Sequence, residues 1–113
     1  MSEQTGLDRS RLQERRFADL IGAELHAGSG NQWRRKNDMH NSNLLVECKR
    51  TDAEKSIGFK VEDFTDVRHN AVTTGKLPIL HIEVGRHDIK RYVILSEDDF
   101  LAMAEGCGYI DVP

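Results

Sequence analysis

Glu47-Cys48-Lys49 sets a carboxylate and an ammonium two residues apart, directly after the apolar Leu44-Leu45-Val46. In an extended strand, residues two apart share a face, so Glu47 and Lys49 project together and Cys48 points away. Charges in such a mostly buried strand are costly unless they are paired or bind something. Upstream, Asn41-Ser42-Asn43 has hairpin-turn chemistry, because Asn tolerates positive φ and Ser makes local hydrogen bonds. A turn centred between Ser42 and Asn43 sets Asp38 opposite Glu47, with α-carbons about 4.5–5.5 Å apart. Two carboxylates that close repel each other unless a cation lies between them. Hard oxygens at that separation suit magnesium or manganese.

Glu14 supplies a third acid. It falls in the middle of an apolar helical stripe, where a plain surface glutamate would not be placed; the other reading is that it reaches out to solvent or pairs with Arg11 or Lys49. Glu14, Asp38, Glu47 and Lys49 together describe a site for phosphodiester hydrolysis. A divalent metal would polarise a phosphate oxygen and lower the pKa of a bound water, and Lys49 would steady the hydroxide or the charge of the transition state. A D…ExK pattern alone also arises by chance, as a buried Glu–Lys pair beside an unrelated aspartate.

The elements that must position these residues are legible from periodicity. Asp8 to Ala23 reads as a helix with Leu7, Glu14, Phe17, Ala18, Ile21 and Leu25 near one direction. Gly28-Ser29-Gly30-Asn31 interrupts regular structure, and Gln32 to Lys36 continues as a basic loop. Short strands are expected at Lys36–His40 and Leu44–Arg50. A second helix over Ile57–Thr74 carries Ile57, Val61, Phe64, Ala71 and Val72 as its apolar stripe, with Gly75 as its cap. Leu77–Val84 and Lys90–Leu95 are strands joined by Arg86-His87-Asp88, and Ser96 caps a last helix through about Glu105. If Leu25–Ala27 is itself a short strand, the order is α-β-β-β-α-β-β-α, a mixed α/β domain of two or three layers. Residues 1–7 are expected to be a loose tail and 8–113 a single domain of about modal size.

Composition narrows the classes. With 38% hydrophobic and 31% charged residues, the chain fits a soluble globular domain, and no apolar run is long enough to span a bilayer. The polar N-terminus lacks a secretion signal, so the cytoplasm is the expected compartment. Cys48 and Cys107 match no metal-ligand spacing, and Cys48 reads as a small buried hydrophobe; the five histidines show no zinc pairing. The net charge of −3 hides an asymmetry: residues 1–60 hold eleven Lys and Arg against nine acids, residues 61–113 five against ten. Phosphate affinity follows such local fields rather than net charge.

Glu14, Gly28-Ser29-Gly30, Asp38 and Glu47-Cys48-Lys49, in this order, resemble the PD-(D/E)XK nuclease superfamily, and within it the Holliday junction resolvases of archaea and phages. The resemblance covers roughly Arg9 to Val84. It implies a restriction-endonuclease-like mixed β-sheet flanked by helices, and Mg2+- or Mn2+-dependent cleavage of branched DNA by a homodimer. Glu14, Asp38, Glu47 and the Cys48 backbone carbonyl would be metal ligands, Lys49 the catalytic lysine, and Ser29 a loop residue near the scissile phosphate. Asn37 departs from the family, which often has proline before the aspartate. Asn31, Trp33, Arg34, Arg35 and Lys36 would meet DNA beside Ser29, with Arg50 and Lys55 along the DNA path. Lys60 would be a phosphate-binding residue, or simply the edge of an amphipathic helix. A restriction-like, nicking or repair nuclease, and a non-catalytic nucleic-acid-binding domain, are the competing expectations.

Overall fold

Eight elements follow one another in the expected order in a computed structural model that describes residues 5–26 and 37–111. They are α1 (Gly6–Ile21), β1 (Glu24–Leu25), β2 (Met39–His40), β3 (Leu44–Thr51), α2 (Val61–Thr74), β4 (Leu77–Val84), β5 (Lys90–Ile94) and α3 (Glu97–Gly106). The strands form one sheet in the order β1-β2-β3-β4-β5. β3 and β4 are parallel, joined through α2, and every other pair is antiparallel. The mixed α/β sheet is therefore present as expected. No helix among the described residues is long and apolar enough to cross a membrane.

The helix boundaries differ from the sequence reading for local reasons. α1 starts at Gly6, inside the expected tail, because the Thr5 hydroxyl accepts the Asp8 N–H at 3.1 Å. It stops at Ile21 because Gly22 turns left-handed at φ 64°, and the Asn41 amide donates to the freed Ile21 carbonyl at 2.9 Å. α2 starts four residues later than expected, since the Asp63 carboxylate takes the Lys60 N–H at 2.9 Å and fixes Lys60 as the N-cap. Ile57 still packs on the core, but from extended chain. The α2 stripe is also corrected: Val61 and Val72 face solvent, and Val67 is fully buried beside Ala71.

Strand alternation divides the core. Leu45, Leu80, Ile82 and Val84 pack against Val67 and Ala71 on the α2 side. Val46, Ile79 and Met39 pack against Phe17 and Ala18 on the α1 side. Burying each large side chain of this kind is worth about 1.5–3 kcal/mol, so both helices are held by their apolar stripes. Glu47 and Lys49 continue the α2 face of β3, whereas Cys48 and Arg50 continue the α1 face.

Candidate active site

The hairpin register is the one the turn chemistry implied. Met39 pairs with Val46 and His40 with Leu45, so Asp38 falls one step past the strand, level with Glu47. The Asn41 side chain sets this turn by accepting the N–H groups of Asn43 and Leu44 at 2.8 and 2.7 Å. Because β2 is two residues long, β3 from Glu47 onward pairs only with β4 among the described residues. Asp38 occupies the edge left open. Its N–H donates to the Val46 carbonyl at 3.0 Å, and its carboxylate accepts the Cys48 N–H at 2.6 Å. The N–H and C=O of one strand residue point the same way, so the Cys48 carbonyl opens on this edge too.

The open edge lets both faces of the sheet meet. Glu14 comes from α1 and Glu47 from the α2 face, and the Asp38 carboxyl is close enough to act electrostatically on each. Burial, reinforced by the Asp38 charge, pushes Glu14 up to about 7, with Arg11 acting in the opposite sense. Burial and Asp38 likewise push Glu47 up to about 7, against the lowering influence of Asn37 and Lys49. Among the described residues, no three His, Cys, Asp or Glu side chains form a ready-made metal cage. Asp38 instead joins two pairs, and the crowding can be relieved by a proton or by a cation. The carboxylate oxygens, with the Cys48 carbonyl beside them, are of the hard type that a divalent ion takes, without being gathered into one three-ligand cluster.

Lys49 lies within electrostatic reach of Glu47 and forms an ion pair with Asp63 of α2 at 3.5 Å. Asp63 is held below the usual carboxylate range, first by the Lys60 N–H and then by the Lys49 and Lys60 charges. Lys60 thus stands near Lys49 at the N-terminus of α2, while Lys55 is exposed in the segment after β3. Arg50 corrects the sequence reading. Alternation turns it to the α1 face, where its side chain is 9% exposed, paired with Asp52 at 2.6 Å and Glu83 at 3.6 Å. It is not presented along a strand-side DNA path. The Cys48 thiol is held protonated by burial and the surrounding acids. Ser29, Asn31, Trp33, Arg34, Arg35 and Lys36 lie outside the described residues.

Several supporting residues carried no sequence signal. Asn37 is buried, and its side-chain nitrogen donates to the Glu47 carboxylate at 2.8 Å while its side-chain oxygen accepts from the Asn70 amide at 2.9 Å. The His26 N–H donates to the Asp38 carbonyl at 3.0 Å, and the His26 ring meets both the Asn37 carbonyl and His40. Gln13, also buried, shares its amide protons among the Lys49 carbonyl at 3.1 Å, His81 Nδ1 at 2.9 Å and the His81 carbonyl at 3.2 Å. His81 stacks on Phe17 with centroids 4.1 Å apart, and burial lowers it to about 4, so the ring is neutral with Nδ1 as acceptor. For Gln13 the one hint is its place in α1: it lies one turn before the buried Phe17 and on the same side of the helix.

This sheet, with a carboxylate hairpin at its open edge and helices on both faces, is a restriction-endonuclease-like mixed α/β fold. Among solved structures, the chain is similar to Hjc of Archaeoglobus fulgidus, a Holliday junction resolvase from an archaeal hyperthermophile. The TM-score is 0.53 at 16% identity, covering 88% of this chain and 98% of that one. No protein-family model matches the chain, and no curated protein matches it in sequence.

Proposed function

We propose that the chain is a divalent-metal-dependent DNA endonuclease selective for branched DNA, above all the four-way Holliday junction. The observation that carries this reading is the Asp38 carboxyl set between Glu14 and Glu47, beside the strand that bears Lys49. The fold shared with a Holliday junction resolvase supports it. Glu14, Asp38, Glu47 and the Cys48 carbonyl would hold Mg2+ or Mn2+. Bound there, the ion would supply Lewis acidity at a phosphate oxygen and a hydroxide at neutral pH.

The chain's own residues divide the remaining work. Asn37 holds Glu47 in orientation, and the Cys48 N–H does the same for Asp38. Asp63 holds the Lys49 ammonium at the mouth of the site, where it would stabilise negative charge developing on the phosphate. Gln13 pins the Lys49 backbone to α1.

Two symmetric cuts in a junction call for two sites, and the reading includes a homodimer. The outer edge of β5 has no strand partner among the described residues, and Tyr92, Val93, Phe100, Leu101 and Met103 are exposed on β5 and α3. A two-fold pairing of β5 with its copy would close this edge and cover these side chains. Sedimentation of wild type and Tyr92→Glu tests this; a monomeric wild type removes the dimer.

The function is tested by magnesium-dependent cleavage of four-way junction, flap, linear duplex and single-stranded DNA, with Glu47→Ala as control. Symmetric junction cutting, lost in the variant, is the expected result. Equal cutting of linear or single strands retires junction selectivity. DNA binding without cutting moves the protein to a non-catalytic role.

A further inference from the structure

On the flank of α1 away from Glu14 lies a cavity of about 260 Å3 lined by Arg9, Leu12, Gln13, Arg16, Glu83, Ile89 and Arg91. It is smaller than the roughly 300–1,000 Å3 of sites for drug-sized molecules, and its chemistry is dominated by guanidinium groups. Three arginines line it against one carboxylate, and that carboxylate is already engaged: Glu83 is buried and bound to Arg91 at 3.0 Å and to Arg50 at 3.6 Å. Arg9, whose side chain is 12% exposed, has a buried Nε with no hydrogen-bond partner, its contact with Asp52 being an ion pair at 3.5 Å. Asp52 is itself shared with Arg50 at 2.6 Å and Arg86 at 3.5 Å. Among the described residues, Glu83 and Asp52 are thus shared by Arg9, Arg50 and Arg91, with Arg16 beside them, which leaves the cavity rich in positive charge. The charges of Arg16 and Arg91 both reach the buried His81 and help to keep it neutral, so the two groups converge on one side of the sheet.

We propose that this cavity is a second phosphate subsite, holding a backbone phosphate of the bound DNA away from the scissile bond. The proposal rests on the nuclease reading above. Its geometry follows from α1. At 100° per residue, Gln13 faces the sheet, Arg9 and Arg16 fall on one flank and Glu14 on the other. Cavity and carboxylates therefore lie across one helix from each other, about 10–12 Å, far enough apart to hold different phosphates of one strand. Arg11, on the outer face, bridges the interval and already acts on Glu14. Arginine suits the role because its planar fork takes two phosphate oxygens at once. The contact reads the backbone and not the bases, as a protein selecting DNA by shape requires.

The test is the salt dependence of binding to a fluorescein-labelled four-way junction and a linear duplex in calcium, for wild type, Arg16→Gln, Arg91→Gln and Arg16→Lys. Arg16 is exposed, so its variants fold even if Arg91→Gln, which removes one of the two partners of the buried Glu83, does not. Arg16→Gln is expected to weaken binding about three- to tenfold at moderate salt, and to reduce the slope of log K against log salt by about one. Arg16→Lys is expected to restore the slope but not the full affinity. Wild-type affinity and slope in Arg16→Gln, with wild type binding and cutting DNA, overturn the subsite and leave the nuclease reading standing. A wild type that binds neither DNA overturns both.

Discussion

The side-chain nitrogen of Asn37 donates to Glu47 at 2.8 Å while the Asn37 side-chain oxygen accepts from Asn70 at 2.9 Å, so one buried amide links the central strand to α2 through a carboxylate of the site. The PD-(D/E)XK pattern that the sequence resembles often carries proline at this position. Here the departure adds a hydrogen-bond donor that proline lacks.

Asn37→Ala is accordingly expected to weaken divalent-metal affinity and cleavage by about 10–100-fold, the usual loss when a group orienting a metal ligand is removed. Isothermal titration with Mn2+ beside a cleavage assay measures both. Wild-type values in both would show that Glu47 needs no such support.

The crowded carboxyls make a prediction about pH. Glu14 and Glu47 sit near 4.5 in an unfolded chain and near 7 in the folded one. Between these values the folded state keeps protons the unfolded state has lost, so metal-free stability falls as pH rises from about 4.5 to 7. Both groups are partly solvated, which discounts the effect to about 1 kcal/mol, or about 4–8 °C in Tm for a domain of this size. Melts at pH 5 and 7.5 should show that decrease. Glu47→Gln should flatten it, and Mn2+ should raise Tm more at pH 7.5 than at pH 5. A metal-free Tm that rises across the interval contradicts the arrangement.

Gln13→Ala is expected to cost about 1–3 kcal/mol, because the buried Lys49 carbonyl and the His81 ring nitrogen lose their donor. Chemical denaturation gives the stability. Slower cleavage at saturating metal would show in addition that the Lys49 backbone requires the anchor. An unchanged midpoint would mean that water takes over both acceptors.

Gly85 stands at φ 102°, and a Cβ there would meet the Asp88 carbonyl oxygen at 2.5 Å and a Glu54 carboxylate oxygen at 2.8 Å. That carboxylate accepts the N–H groups of Arg86, His87 and Asp88 at 3.0, 2.9 and 3.3 Å. Gly85→Ala should therefore lose about 2 kcal/mol or more, whereas Gly58→Ala, with open space around it, should be close to neutral. Equal melting temperatures for the two would refute this account of the turn.

Much of this was legible because periodicity and turn chemistry act over few residues. The hairpin register followed from Asn41-Ser42-Asn43, and α2 ended at Gly75 as its glycine required. What escaped depends on contacts between distant segments. Gln13 and His81 are 68 residues apart and Asn37 and Asn70 are 33 apart, and no local pattern announces either pair. Arg50 was misjudged for a different reason. Strand alternation was applied to Glu47 and Lys49 but not carried one residue further, to the buried face that Arg50 shares with Cys48.

The two-residue length of β2 has a broader meaning. An unpaired strand edge ordinarily invites a neighbouring chain to add a strand, and proteins blunt such edges with charge. Asp38 does this for β3 by occupying the Cys48 N–H with a carboxylate. The group that guards the protein against self-association is thus also a member of its carboxylate cluster. A substitution that let β2 grow by two residues would close the edge, and with it the proposed metal site, while leaving every acidic side chain in the sequence.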